Sequence, residues 1–312
     1  MWNVIECSGH PRDLGFEQGL ALRSVIRERV AKAGLPLRRR RWPDLSPFAS
    51  GGVRGSGVGR EMIRHFTHLA ERADGLARGA HVPVDSLLRL LEPAAPGKAG
   101  ALGLSAENFQ GTTGAGLLQT LSGLPGVVRR SRPEVGFASV EVSAPWQVSA
   151  LAGINEAGLA VSLVPTAGES QPLAQPLGSP RTPLPLADFL VQECLQRFED
   201  VEAGIGWCLN RPAAGEATIL MADAAGNRCA VHFSRGGRTA ERADGAVLLA
   251  GTPAAELAGF QAWALAGDAA GPESPVRAEG GGWPLVRLVC SARRLELLDA
   301  DGRERTLSLC AD

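Results

Sequence analysis

Two hydrophobic periodicities divide the chain near residue 100. Before it, apolar residues recur at helical spacing. Leu14, Leu20, Ile26 and Val30 follow Pro11, and the run stops at Gly34, which predicts a helix over 11–33 with one buried face. Ile63, Phe66, Leu69, Ala70, Ala73 and Leu76 predict a second helix from about Arg60. Leu87, Leu88, Leu90 and Leu91 behind Pro83 predict a short third one. A strand over 2–8 precedes them. Residues 35–57, rich in Pro, Gly, Arg and Ser, read as a long loop.

After a Pro- and Gly-rich break at 93–100 the period shortens to two. Strands are predicted at about 101–106, 115–121, 135–143, 146–153 and 158–164. A Pro-rich loop over 165–185, a helix over 186–209 and strands at 217–223, 228–234 and 246–250 come next. The tail alternates over 285–291 and 293–298, turns at 299–302 and closes with 305–309. Helices, strands, helices, strands is the order of an α+β protein with two sheets between helical layers. It divides the chain into a helical portion, 1–100, and a sandwich portion, 101–312.

Composition narrows the function classes. The 312 residues are 45% hydrophobic and carry a net charge of -1, enough for a sizeable core and too balanced to favour nucleic acid or an anionic membrane. Arg38-Arg39-Arg40-Arg41 reads as a solvated surface run, with an anionic partner as the alternative. Six scattered cysteines without a C-x-x-C pair exclude a zinc cage and read as reduced thiols. The amino terminus lacks a secretory pattern, so a cytoplasmic location is expected. No tyrosine exists to serve any mechanism. No cofactor or metal is expected. His65 and His68, three apart, have no third ligand nearby, and the Gly51–Gly59 cluster lacks the Lys-Ser/Thr of a phosphate-binding loop.

Four segments carry a more specific signal. They are Gly9–Gly19, with glycines at 9, 15 and 19; Leu69–Pro83, ending Gly79-Ala80-His81-Val82-Pro83; the turn Gly153-Ile154-Asn155-Glu156-Ala157-Gly158-Leu159-Ala160-Val161; and Ile219–Gly226, reading Ile-Leu-Met-Ala-Asp-Ala-Ala-Gly. In this order and spacing they resemble the isopenicillin-N acyltransferase family of N-terminal-nucleophile hydrolases. The resemblance implies a four-layered αββα sandwich with a helical N-terminal portion. It also implies acyl transfer or amide hydrolysis by a cysteine freed through self-cleavage roughly one hundred residues in.

The chain departs from that family where the chemistry sits. Alignment on Gly116-Leu117-Leu118 puts Leu104 at the nucleophile's position, and no cysteine lies between Cys7 and Cys194. Leucine offers no atom to attack a carbonyl. The family's "G-x-N-x-D" falls on Thr120–Leu124, and its "T-N-H", whose Asn helps form the oxyanion hole, falls near Gly251-Thr252-Pro253. The remaining candidates are Ser105, as a nucleophile with Leu104–Ser105 as the scissile bond, and Asn155, as an oxyanion or amine contact. Against them stand plain roles, a small strand residue for Ser105 and a turn residue tolerating a left-handed conformation for Asn155. Asp223 reads as a turn residue, and His232 as a strand residue or a triad member. The expectation is a catalytically degenerate acyltransferase or amide-hydrolase homologue that binds a small acylated or peptide ligand or a partner enzyme. The alternative is an active acyltransferase or amide hydrolase using Ser105 or an unprocessed chain.

Overall fold

A computed structural model describes residues 2–38, 57–91, 103–111, 114–122, 126–165, 187–213, 216–234, 237–242, 247–248, 285–298 and 304–309. The elements run β1 (Asn3–Gly9), α1 (Pro11–Ala21), α2 (Arg23–Lys32), α3 (Gly57–His65), α4 (Thr67–Ala80), α5 (Val84–Leu91), β2 (Gly103–Gly111), β3 (Gly114–Ser122), β4 (Val127–Pro133), β5 (Ser139–Ser143), β6 (Ala152–Asn155) and β7 (Ala160–Pro165). They continue α6 (Ala187–Arg197), α7 (Val201–Asn210), β8 (Ala217–Ala222), β9 (Arg228–Ser234), β10 (Gly237–Arg242), β11 (Val247–Leu248), β12 (Leu285–Val289), β13 (Arg294–Leu298) and β14 (Glu304–Ser308).

The strands form two sheets, one in the order β1-β4-β5-β6-β7-β8-β9-β10 and one in the order β11-β2-β3-β12-β13-β14. Pairing is antiparallel except between β1 and β4. Alternation along the large sheet sorts its side chains to two faces. Val128, Val142, Ile154, Ala160, Leu220 and Ala230 pack with Leu117, Val286, Leu288 and Leu295 of the small sheet. Val127, Val161, Ile219, Met221 and Val231 pack instead with the helices. The chain is thus an α+β sandwich: helices, large sheet, small sheet. A helical layer outside the small sheet, the fourth layer expected, lies outside the described residues.

The sequence division near residue 100 is not a division in space. Strand β1 joins the large sheet beside β4, and the helices α2 to α5 share one apolar core with α6, α7 and that sheet. Two boundaries differ from expectation for local reasons. The 11–33 helix breaks at Leu22 (φ -112°, ψ 18°), and the 186–209 helix breaks where Asp200 caps α7 by accepting from Ala203 N–H at 2.8 Å. Helix α3 opens at Gly57, the last residue of the segment read as a loop. Strand β4, rich in arginine, falls where no strand is predicted.

The first two resemblance segments turn out to be the two halves of one contact. A Cβ at Gly15 would lie 2.0 Å from the Arg72 carbonyl oxygen, and one at Gly19 2.3 Å from that of Leu76. From the other side, Gly75 faces the Arg12 oxygen at 1.9 Å and Gly79 the Phe16 oxygen at 2.2 Å. Helices α1 and α4 therefore meet backbone to backbone, which no other residue permits without separating them.

Candidate active site

Strand β2 carries the expected reaction centre. It is an interior strand of the small sheet, paired with β3 along its whole length and with β11 at Glu107 and Asn108, and it lies across β7 and β8 of the large sheet. Position 104 pairs with Leu121, inside a ladder that already includes Gly103 with Ser122. Register assigns the rows. Positions 104, 106 and 108 fall in step with Leu117, which pairs with Leu288 in the row packed on the large sheet. Position 105 pairs with Thr120, itself opposite Leu285, and falls in the alternate row, that of Arg287 and Glu296. Ser105 therefore stands in the opposite row from the nucleophile position it was to replace.

Asn155 is placed where it cannot serve β2. It belongs to the helix-facing row of the large sheet, opposite the side on which β2 stacks, and it is fully buried. Its Nδ2 donates to the carbonyls of Leu195 at 3.0 Å and Phe198 at 2.7 Å, while Oδ1 accepts from the N–H groups of Ala157 at 3.1 Å and Leu159 at 2.9 Å. Both amide hydrogens and the oxygen are thereby used. The expected oxyanion or amine role is corrected to a structural one. The left-handed residue of this turn is Gly158 (φ 96°), not Asn155.

Asp223 does the complementary work one hairpin away. Its Oδ1 accepts from Ala225 and Asn227 N–H, both at 3.0 Å, and its Oδ2 accepts from Val201 N–H at 3.1 Å, at the start of α7. The carbonyl end of α6 meets an amide that can donate; the N–H end of α7 meets a carboxylate that can only accept. The third and fourth resemblance segments thus hold the α6–α7 corner to the sheet.

Sequence reasoning missed a buried polar layer between the helices and the large sheet. Arg129 on β4 donates from Nε to Glu141 Oε2 on β5 at 3.0 Å and from Nη1 to Gln18 Oε1 on α1 at 3.0 Å; Nη2 lies 2.9 Å from Glu141 Oε2. Glu141 also accepts from Ser139 Oγ at 2.7 Å, Ser131 Oγ at 3.2 Å and Gln192 Nε2 on α6 at 2.6 Å. Arg72 of α4, also buried, approaches Glu141 at 3.9 Å. Burial, then the neighbouring Arg72, pulls Arg129 down to about 10. Burial pushes Glu141 up, but the two guanidiniums outweigh it and hold its carboxyl below the usual range. Two cations and one anion, all sealed from water, tie α1, α4 and α6 to β4 and β5. The sequence pattern alone assigns these polar residues to no interior layer.

The histidines do not assemble a site. His65 lies 3.6 Å from Glu61, and His68, held down to about 4 mainly by burial, lies 3.1 Å from Glu193. His232 meets Thr218 Oγ1 at 3.0 Å and Glu241 at 3.6 Å, both on adjacent strands, with no serine nucleophile in the arrangement. Among the described residues no group of three metal-ligating side chains is assembled, and no helix is long and apolar enough to cross a membrane.

The sequence matches no protein-family model and no curated protein. Several solved structures are similar in shape. The penicillin V acylase of Agrobacterium tumefaciens is 13% identical with a TM-score of 0.40, covering 67% of this chain and 78% of its own. A mutant of the conjugated bile acid hydrolase of Clostridium perfringens is 9% identical with a TM-score of 0.37, covering 67% and 85%. The Caenorhabditis elegans N-acylethanolamine-hydrolyzing acid amidase ortholog is 10% identical with a TM-score of 0.41, covering 66% and 100%. They are named as an acylase, a hydrolase and an amidase. At these values the likeness carries nothing about chemistry, and the sandwich stands on the chain's own strand pairing.

Proposed function

We propose that this chain is a catalytically degenerate relative of the acyltransferase and amide-hydrolase proteins, retained to bind a small acylated or peptide ligand or a partner enzyme. One observation carries the reading. The nucleophile position is a leucine within an unbroken ladder, and the adjacent hydroxyl-bearing residue, Ser105, stands in the alternate row. The occupied amide of Asn155 supports it, because a hydrolase of this kind needs a free donor at the developing oxyanion.

The test is intact-mass measurement of the purified protein after long incubation, with N-acyl amide and peptide substrates assayed on the same sample. A single species of 32.6 kDa and no turnover are expected. Two fragments of about one-third and two-thirds of the chain, or turnover lost on Ser105→Ala, would overturn the reading in favour of an active hydrolase.

A further inference from the structure

We infer that Cys194 and Cys208 are an intramolecular disulfide site that pins α6 to α7. Separated in sequence and without a C-x-x-C pattern, they are brought into contact by the α6–α7 corner, with their sulfurs 3.7 Å apart and both side chains buried. Closing a bond requires the sulfurs to approach to about 2.05 Å.

The surroundings favour that approach. Gly204, one turn before Cys208, lets α7 pack closely on Met221 and Cys194; a Cβ there would meet the Met221 sulfur at 2.7 Å and lie 3.9 Å from the Cys194 sulfur. Gly206 would meet nothing, and two glycines in a ten-residue helix make α7 compliant. Cys208 lies in the last turn of α7, where helices open most readily. The corner's other end is fixed by Asn155 and Asp223, so movement falls on the Cys208 end. The neighbouring sulfur and burial keep the Cys194 thiol protonated, so closure follows local opening rather than occurring at rest.

With hydrogen peroxide as the oxidant, one thiol loses its proton and attacks a peroxide oxygen, giving a sulfenic acid and water. The second sulfur then displaces the sulfenic oxygen as water, so the two thiols lose two hydrogens and the peroxide is reduced to two waters. The other described cysteines differ. Cys290 donates to the Ala222 carbonyl at 3.4 Å, and Cys7 sits on β1 beside the buried guanidiniums. Cys229 sits on β9, where burial pushes its thiol up to about 11.

The experiment treats the full-length protein with hydrogen peroxide, blocks remaining thiols, and maps bridges by peptide mass spectrometry without reduction. The expected result is a loss of about 2 Da and a peptide linking Cys194 to Cys208, reversed by dithiothreitol. The melting temperature should rise by roughly 4–8 °C, since the bridge closes a short loop in a large domain. Absence of the linked peptide from oxidised, folded protein, or a bridge mapping to Cys229 or another cysteine, overturns the inference. Because the readout uses the wild-type chain, it does not depend on a serine variant folding.

Discussion

At the α1–α4 contact, four glycines let two helices touch backbone to backbone, and beneath them a buried guanidinium–carboxylate layer fixes three helices to two strands. Along β2, where the acyltransferase resemblance places the reaction, the structure fixes only the ladder and its register. The segments that carry the resemblance lie in the framework, and none of them lies on β2. The four resemblance segments are packing and turn devices: two halves of a helix contact and two side chains that hold a helical corner. Such devices serve the folded sandwich whether or not anything is catalysed.

The contrast between the two regions fails first if the framework tolerates change. Glu141→Leu would leave Arg129 and Arg72 buried without their carboxylate, and it should cost about 3–5 kcal/mol, enough to unfold a marginal domain. Denaturant titration of this variant is the measurement, and a loss below about 1 kcal/mol would show that water enters the layer. Gly75→Ala comes next. Its methyl would stand 1.9 Å from a main-chain oxygen that no rotamer change can move, so about 3 kcal/mol is expected by thermal or urea melting.

A subtler strike is Asn155→Ala, which removes both donors to the Leu195 and Phe198 carbonyls and the acceptor for two turn N–H groups. About 2 kcal/mol should be lost, with faster amide exchange confined to the α6–α7 corner and the turn at 155–158. Were exchange to change instead along β2, the assignment of Asn155 to the helix side would be wrong.

Two buried groups oppose each other in pH dependence. Burial raises Asp188 to about 6, against the downward pull of the Ser149 hydroxyl, so the folded state holds a proton that the unfolded chain releases near 4. Its contribution therefore weakens as pH rises from about 4 to 6. His68, lowered to about 4, is protonated more in the unfolded chain, and its contribution strengthens over the same rise. Asp188→Asn removes the first slope. The variant should gain about 2 kcal/mol on wild type between about pH 4 and pH 7, read from urea midpoints at several pH values. A constant difference across that range would remove Asp188 from the titration.

Much of the framework was legible because its cause is local. Helical spacing in 60–91 and two-residue alternation after 100 follow from which side must be dry. The glycines were legible as a motif, but not as a contact, since nothing in one segment names its partner. Strand β4 was missed because Val127-Val128-Arg129-Arg130-Ser131-Arg132 looks solvated, and only the helices laid over it show that Arg129 and Ser131 are interior. Asn155 was legible as a turn residue, though its backbone is not left-handed. Its face could not be read, since a strand's parity relative to the rest of the sheet is set by pairing.

The smallest expected effect bears most directly on β2. Ser105→Ala should change stability by less than about 0.5 kcal/mol and leave the chain uncleaved, since position 105 falls in the alternate row of β2 from position 104. Leu104→Cys places a thiol at the position the resemblance assigns to the nucleophile, yet efficient self-cleavage is not expected. The family's donor positions carry Ser122 and Thr252 in this sequence, and the Asn155 amide is spent on α6. Each absent oxyanion donor is worth about 3–4 kcal/mol, so two losses slow the reaction by several powers of ten. Intact-mass analysis of Leu104→Cys over days distinguishes the cases. An unbroken chain supports the proposed loss of more than one catalytic group; prompt appearance of two fragments would mean that one substitution is enough to give self-cleavage.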